Sequence, residues 1–339
     1  MFVTERRQSE NLVYLEMLAK RAELDGKEKR ALERYRSGFE GEREYDAVLD
    51  AVGHGSLYVF RDIWLGIGDG KVQLDALIVA DNMLIVNEIK NYSGNYSYEG
   101  GVWKVRGRQI SEDPVSQVST AANKLLRLRY DVGMPFEVQK EIIFVNPYLI
   151  FGPTDFANLD MFVMRNRLKQ YFRSLNNNRA GESAKVLAGE IAKRIIPSPH
   201  PVTVSENAEI RRGVNCHRCQ SFNVWLERYC AGCRECGYIE PFEWLVVRAA
   251  VEFSILYPGV PVARQRVQDL LGGEVHPKKI QRHLKRYLYL EGSGNRAYYK
   301  LENQDLDKIL LAGKYQSYYE HDSEFIFECH PRYQKQMRN

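Results

Sequence analysis

The sequence predicts a mixed α/β core flanked by smaller modules. Three observations carry this. Strand-like apolar runs stand on either side of one long helical stretch, 113–130. Five of the six cysteines are gathered between Cys216 and Cys236, which marks off a small separate module. Three helical stretches and a closing hairpin pattern follow, up to Leu301. A chain of 339 residues is expected to hold two or three domains rather than one.

The composition, 44% hydrophobic and 27% charged, is that of a globular protein and excludes a disordered or fibrous chain. The formal charge of +4 permits nucleic-acid binding without demanding it. The opening MFVTERRQSENLVYLEM has no apolar run before its charges, and no stretch of ~18 apolar residues follows anywhere. A cytoplasmic protein with no membrane partner is expected. Oligomeric state leaves no mark in the sequence.

In chain order, residues 1–37 read as a helical N-terminal extension. Leu12, Leu15, Leu18, Ala19 and Ala22 recur at helical spacing, and the charges around them read as a solvated face. Gly38 and Gly41 frame a new start, and Gly41-Glu42-Arg43-Glu44 opens a helix through Leu49. Residues 57–60 and 63–65 are strand pieces. Runs 75–80 and 83–89 form a hairpin about Asp81-Asn82. In a strand, residues two apart share a face, so Glu88 and Lys90 point the same way. The hairpin brings Asp75 to them at the strand ends. Two carboxylates and an ammonium then converge, a geometry suited to a hard divalent cation and a water poised to attack phosphate.

Further on, 102–105 is a strand, and Asp113-Pro114 reads as N-cap and first helical position. The helix runs to about Tyr130 with Val118, Ala122, Leu125 and Leu126 inward. Residues 141–145, EIIFV, form a short buried strand, and 158–172 and 179–195 read as helices. The segment 196–213 is a linker with three prolines.

Asp75, Glu88 and Lys90 match the pattern of the PD-(D/E)xK nuclease superfamily. More narrowly, the chain resembles the nuclease-related domain, NERD, over roughly residues 38–150. The marks are Gly41-Glu42, Gln73-Leu74-Asp75 and Asn87-Glu88-Ile89-Lys90-Asn91-Tyr92-Ser93-Gly94. Trp103 and Pro114-Val115-Ser116-Gln117-Val118 follow in the expected order. The resemblance implies a restriction-endonuclease-like mixed-sheet core, assigned to 38–195, and a nuclease using Mg²⁺ or Mn²⁺. Asp75 and Glu88 would ligate the metal, Glu42 would add a carboxylate directly or through water, and the backbone carbonyl of Ile89 would be a further ligand. Lys90 would orient or activate the attacking water and steady the developing phosphate charge. Gln117 would face the site from the crossover helix. Plainer readings compete. Asp75 serves equally as a turn or capping residue, and Glu88 with Lys90 as a solvated edge pair. Tyr92, Tyr96 and Tyr98 suit base stacking or ordinary hairpin packing.

Cys216-His217-Arg218-Cys219 and Cys233-Arg234-Glu235-Cys236 are two CxxC pairs separated by thirteen residues. Without a secretion signal such clustering favours a metal over disulfides. Four thiolates converging from two knuckles suit tetrahedral zinc, and the segment 214–240 resembles a zinc ribbon. A closed set of four ligands makes this zinc structural. Cys230 in place of Cys233, and a competing His217, stay open as alternatives.

The last module, 241–301, has helices at 241–257, 262–271 and 277–287 and a hairpin over 288–301, a winged-helix-like pattern. On the third helix Ile280, Leu284 and Tyr287 form the inward stripe. Lys278, Lys279, Gln281, Arg282 and Lys285 are left largely outward, with Arg264 on the preceding helix and Arg296 on the wing. These cations suit phosphate or a major groove. They also suit a protein partner, or solubility alone. The tail, 302–339, is polar and aromatic and suggests no role. The functional expectation is a metal-dependent deoxyribonuclease, with RNA also open as a substrate. The alternatives are a catalytically weak nucleic-acid-binding or regulatory protein that keeps the fold, and a protein-interaction scaffold.

Overall fold

The structure, a computed structural model, describes residues 4–55, 57–154, 159–177, 181–301 and 309. The tail 302–339 therefore lies outside the described residues, apart from Ile309. The chain divides into two compact units: Met1–Ser9 with Ala31–Pro201, and Glu10–Arg30 with Val202–Asn339.

The elements run α1 (Glu10–Ala19), α2 (Gly26–Val52), β1 (Tyr58–Ile67), β2 (Gly70–Ala80), β3 (Met83–Lys90), β4 (Gly94–Glu99), β5 (Val102–Val105) and β6 (Arg108–Gln109). Next come α3 (Pro114–Leu126), α4 (Leu128–Val132), β7 (Glu137–Phe144), β8 (Leu149–Thr154), β9 (Phe162–Met164), α5 (Leu168–Leu175), α6 (Glu182–Ala192) and β10 (Ile195–Ile196). The chain continues through β11 (Val224–Leu226), β12 (Cys230–Cys233), β13 (Ile239–Pro241), α7 (Phe242–Leu256), α8 (Arg264–Leu270), α9 (Pro277–Tyr287), β14 (Tyr289–Glu291) and β15 (Tyr298–Lys300).

In the first unit the main sheet has the order β10-β1-β2-β3-β7-β9. The β2–β3 hairpin is antiparallel, with Ala80 opposite Met83 and Ala76 opposite Asn87. From β3 the chain crosses through α3 and returns on β7, which pairs with β3 in parallel. Alternation sorts the side chains. Leu77, Val79, Leu84 and Val86 pack with Val118 and Leu125 of α3, while Ala76, Ile78, Ile85 and Ile89 pack with Tyr45 and Leu49 of α2 and Phe172 of α5. A second sheet, ordered β6-β5-β4-β8, holds Trp103, which is buried and donates to Asp113. Asp113 is the N-cap of α3, accepting from the N–H groups of Val115 and Ser116, as its place before Pro114 predicts. NERD-like residues Trp103 and Pro114 thus fix the crossover helix.

Several expectations change. Gly38 and Gly41 do not start a helix; α2 runs unbroken through both. Gly41 has a packing role instead, since a Cβ there would lie 2.5 Å from Asn91 Cβ. The two strand pieces 57–60 and 63–65 are one strand, β1. The long helix stops at Leu126, and α4 is a separate turn of helix. The stretch read as helix from 158 contains β9, because Phe162 and Val163 are buried on opposite faces beside β7.

In the second unit, β11-β12-β13 form a small antiparallel sheet that leads into α7. Leu12, Tyr14, Leu15 and Leu18 are the buried side of α1. A charged network lies inside this unit. Arg21 donates to Glu252 at 2.8 and 2.6 Å, and Arg248 bonds Glu240 at 2.6 Å and Glu252 at 2.7 Å. Asn215 Oδ1 accepts from both arginines. Each charge of this network therefore has a partner, the condition under which such buried groups are tolerated. The helices α7, α8 and α9 and the β14–β15 hairpin complete the unit.

Candidate active site and metal centre

Glu42, Asp75, Glu88, Ile89, Lys90 and Gln117 all line one cleft of about 860 Å³ in the first unit. Its floor is the end of the β2–β3 hairpin. Asp75, Glu88 and Lys90 share the sheet face that carries α3, as the strand period requires. Gln117 is exposed on α3, and Glu42 arrives from α2 on the other side of the sheet. The segment after β6 also lines the cleft, with Ile110, Ser111 and Glu112.

The hydrogen bonds are specific. Asp75 Oδ2 accepts from the Ile89 N–H at 2.9 Å, which ties β2 to β3 just beyond their pair Ala76↔Asn87. Glu88 Oε1 and Lys90 Nζ are 2.9 Å apart, with side chains 15% and 14% exposed. Asn87 points away from the cleft; it is buried and bonds Tyr45 at 2.5 Å and Tyr171 at 2.7 Å. Asn91 Nδ2 donates to the Ser37 carbonyl at 2.7 Å, and Asn91 Oδ1 accepts from Asn146 at 2.9 Å. The motif Asn87–Asn91 therefore alternates between holding the fold and facing the cleft.

Sequence reasoning missed Arg6, Asp46 and Asp62. Arg6 comes from the stretch read only as a solvated face, yet its side chain is 4% exposed. Its Nε and Nη2 donate to Asp46 Oδ2 at 2.7 Å and Oδ1 at 3.3 Å. Its Nη1 donates to Glu42 Oε2 at 2.8 Å and its Nη2 to the Asp75 carbonyl at 3.0 Å. No local sequence pattern signals this, because the partners lie 36–69 positions away. Asp62 falls in β1 between the paired positions Arg61↔Ala76 and Ile63↔Leu74, next to Asp75. It has a left-handed φ of 46°, and Gln73 donates to it at 3.2 Å. Its signal was visible in the charged pair Arg61-Asp62 that interrupts the otherwise apolar run Tyr58–Ile67.

Electrostatics in the cleft follow from crowding. Burial, and then the charge of Asp75, push Glu42 up to about 8 despite Arg6. Burial and Asp75 likewise push Glu88 up to about 7 despite Lys90. Burial works against the charge of Lys90, but Glu88 and Asp75 outweigh it and raise its pKa. Lys90 is thus a charged hydrogen-bond donor rather than a free base. The carboxyls of Glu42 and Glu88 are thus both raised by burial first and by Asp75 second, with Arg6 and Lys90 only partly offsetting the shift.

The tyrosines divide. Tyr92 and Tyr96 stack on each other at 4.4 Å, and the Tyr92 hydroxyl donates to Glu112 at 2.8 Å. Tyr98 packs on Trp103 at 5.4 Å.

Residues 37–152 match the nuclease-related domain, NERD. A NERD-like domain is therefore present, and the matched stretch includes each of the predicted cleft residues from Glu42 to Gln117. No curated protein and no solved structure matches the chain.

Outside the NERD-like stretch, Cys216, Cys219, Cys233 and Cys236 bring their sulfurs within 4.8 Å of one another. Among the described residues this is the group of three or more side chains placed to hold a metal ion. Two knuckles shape it. The N–H groups of Arg218 and Cys219 point at Cys216 Sγ, and that of Glu235 at Cys233 Sγ. Such donors stabilise thiolate charge. Gly237, with φ of 70°, turns the chain after the second knuckle and donates to the Cys233 carbonyl. Cys230 stands opposite Pro241 in the sheet and outside the quartet. His217 is exposed, with its ring beside Tyr238.

The basic residues of the C-terminal region are also placed. Lys278, Arg282 and Lys285 are exposed on α9, and Arg264 and Arg296 are exposed on α8 and in the hairpin loop. Lys279 differs from the expectation. Its ammonium lies 3.9 Å from the centre of the Phe242 ring and its Nζ reaches the Glu227 carbonyl, so it is partly taken up in packing. The inward stripe also includes His283, whose neighbours are Phe242 and Glu243. Among the described residues no helix is long and apolar enough to cross a membrane.

Proposed function

We propose that this chain is a divalent-metal-dependent nuclease that hydrolyses phosphodiester bonds of DNA. The observation that carries the reading is the gathering of Asp75, Glu88, Lys90, Glu42 and Gln117 along one cleft inside a NERD-like domain. The core is read as restriction-endonuclease-like, and Asp75, Glu88 and Lys90 as its PD-(D/E)xK signature. The reading takes the carboxylates of Asp75, Glu88 and Glu42 as the oxygen donors that a hard ion prefers. Asp75, Glu88 and the carbonyl of Ile89 would hold Mg²⁺ or Mn²⁺, with Glu42 in reach directly or through water. When bound, the ion supplies an activated water and offsets charge on the scissile phosphate.

The chain's own groups then have separate tasks. Lys90, kept charged by Glu88 and Asp75, donates to the attacking water or to a phosphate oxygen as charge develops there. Asp75 keeps its orientation through the Ile89 N–H. Gln117 offers an amide from α3 to orient water or phosphate. Zn²⁺ on Cys216, Cys219, Cys233 and Cys236 would serve the second unit structurally, as a zinc ribbon. The region 241–301 is read as winged-helix-like, presenting Arg264, Lys278, Arg282, Lys285 and Arg296 to duplex phosphates. A protein partner at the same modules is the competing use of that surface.

A second reading has one observation in its favour. Arg6 and Lys90 already pair with Glu42 and Glu88, so these two carboxylates have cationic partners within the chain itself. A catalytically weak nucleic-acid-binding or regulatory protein would look the same. Single-turnover cleavage of circular, linear and single-stranded DNA and of RNA, over a range of Mg²⁺ and Mn²⁺, separates the two. Lys90→Ala is expected to slow cleavage by roughly two to three orders of magnitude, equivalent to ~3–4 kcal/mol, while retaining metal binding. Asp75→Ala is expected to lose both. Wild-type protein that binds these substrates but cuts none of them establishes the second reading.

A further inference from the structure

The carboxyl ends of three parallel strands lie side by side at the cleft. Lys90 of β3 stands opposite Phe144 of β7, and Phe144 opposite Met164 of β9. In an open α/β sheet, ligands are held outside such strand ends. Lys90 lines the acidic cleft, while Phe144 and Met164 line a second hollow of about 440 Å³. A side-chain pair links the two. Asn91 lines the cleft, Asn146 lines the hollow, and they are hydrogen-bonded at 2.9 Å. The charges of the two differ. The cleft is lined by four acids and two cations, the hollow by Arg165 and Lys169 and no acid. The stretch 161–177 carries Arg165, Arg167, Lys169 and Arg173 and no Asp or Glu. A face kept only for solubility mixes both signs. Leu168, Phe172 and Leu175 are the buried side of α5, and Lys169 is exposed. Arg165 bonds Glu44 of α2, which orients its guanidinium. Tyr148 is 77% exposed, between Pro147 and Leu149, both of which line the hollow.

We propose that this hollow is a subsite of the cleft that takes single-stranded DNA running on from the scissile bond. Arg165 and Lys169 hold its phosphates, the arginine through its fixed fork of donors and the lysine as a point charge. Tyr148 stacks on an unpaired base. Neighbouring strands are about 4.8 Å apart, so β3 and β9 end roughly 10 Å apart. About three nucleotides span that distance at ~3.4 Å per phosphate. A duplex pairs and stacks its own bases and leaves none for Tyr148, so the site favours a strand that is unpaired beside the cut. The inference rests on the nuclease reading of the cleft and narrows its substrate.

Fluorescence anisotropy of a labelled dT dodecamer, with zinc-loaded full-length protein and no Mg²⁺ or Mn²⁺, measures binding apart from cutting. Arg165→Ala/Lys169→Ala is expected to weaken binding about tenfold and to reduce the slope of log affinity against log salt by ~1.4, or ~0.7 for each of two phosphates. Tyr148→Ala is expected to weaken it about tenfold with the slope unchanged, since stacking releases no counterion. A blunt duplex dodecamer should be insensitive to Tyr148→Ala. Lys169→Glu is expected to lower affinity and slope as well, and serves if loss of the Arg165–Glu44 pair unfolds the double variant. Thermal melts identify folded variants. No binding by the wild type, or folded variants with wild-type affinity and slope, overturns the proposal. Tighter binding of oligo(U) than of oligo(dT), weakened by the same changes, assigns the hollow to RNA and also overturns it. Cleavage with added Mg²⁺ or Mn²⁺ is scored separately. A wild type that cuts DNA while the variants bind it normally leaves the nuclease reading standing without the subsite. A wild type that binds through these residues and cuts nothing supports the single-strand site and removes the nuclease reading.

Discussion

Glu141 shows how a single residue on the main sheet stores a pH dependence away from the cleft. It lies on β7, and burial, followed by the charge of Asp160, pushes its pKa from 4.5 up to about 7. A carboxyl whose folded pKa is raised contributes stability that is fully present below the unfolded value. That contribution is lost as pH rises through the folded value. Glu141→Gln, which stays neutral, is therefore expected to melt with the wild type at pH ~4 and above it at pH ~8. Thermal scans of both proteins at the two pH values measure this. Parallel pH dependence in the two would mean that Glu141 ionises freely. The same arithmetic of burial and like charge acts on Glu42 and Glu88, where cations modify it.

At the scale of elements, the approach of α2 to the end of β3 decides where Glu42 stands. Gly41 makes that approach possible. An added Cβ would lie 2.5 Å from Asn91 Cβ and 3.2 Å from Val145 Cγ2. In an open helix Gly→Ala gains about 1 kcal/mol. Here overpacking is expected to reverse the sign, giving a net loss of ~1–3 kcal/mol. Cleavage should fall further than stability does, because Asn91 lines the cleft and Glu42 is the next residue. Urea melts paired with single-turnover rates on Gly41→Ala test this, and a stabilised, fully active variant would show that α2 can move away without cost. The cysteine module follows the same logic of closeness. A Cβ on Gly232 would fall 2.1 Å from the Trp225 ring, so the sheet under the four sulfurs also depends on a missing side chain.

At the scale of the whole molecule, the acidic chemistry and the basic surface are assigned to different stretches of sequence. The cleft is built within the first unit, and the exposed cations of α8, α9 and the hairpin belong to the second. Each can therefore be altered alone. Lys278, Arg282 and Lys285 changed together to Ala are expected to weaken duplex binding. They should also reduce the slope of log affinity against log salt by roughly 0.9 for every phosphate that is no longer neutralised. Single-turnover hydrolysis at saturating substrate should change little. Lys279 is left out because the Phe242 ring and the Glu227 carbonyl already engage it. Binding with an unchanged salt slope would turn the α9 surface toward a protein partner.

What the sequence determined by itself was whatever is written in short-range period and spacing. Strand alternation put Asp75, Glu88 and Lys90 on one face, and the Asp113-Pro114 pair started α3 where the structure has it. Two CxxC pairs announced a four-sulfur centre, and among the described residues those four cysteines meet in it. These features need information from a few neighbouring residues, so they survive reading in one dimension. Tertiary structure decided the rest. Gly38 and Gly41 read as a break because glycine disfavours helix, whereas burial of Tyr45, Val48 and Leu49 carries α2 through both. Cys230 was separated from Cys233 by its place opposite Pro241. Arg6 reaches Glu42, Asp46 and Asp75 across long stretches of chain. A cation finds such partners only after the strands and α2 have packed, since ion pairing between distant residues has no period and leaves no local trace.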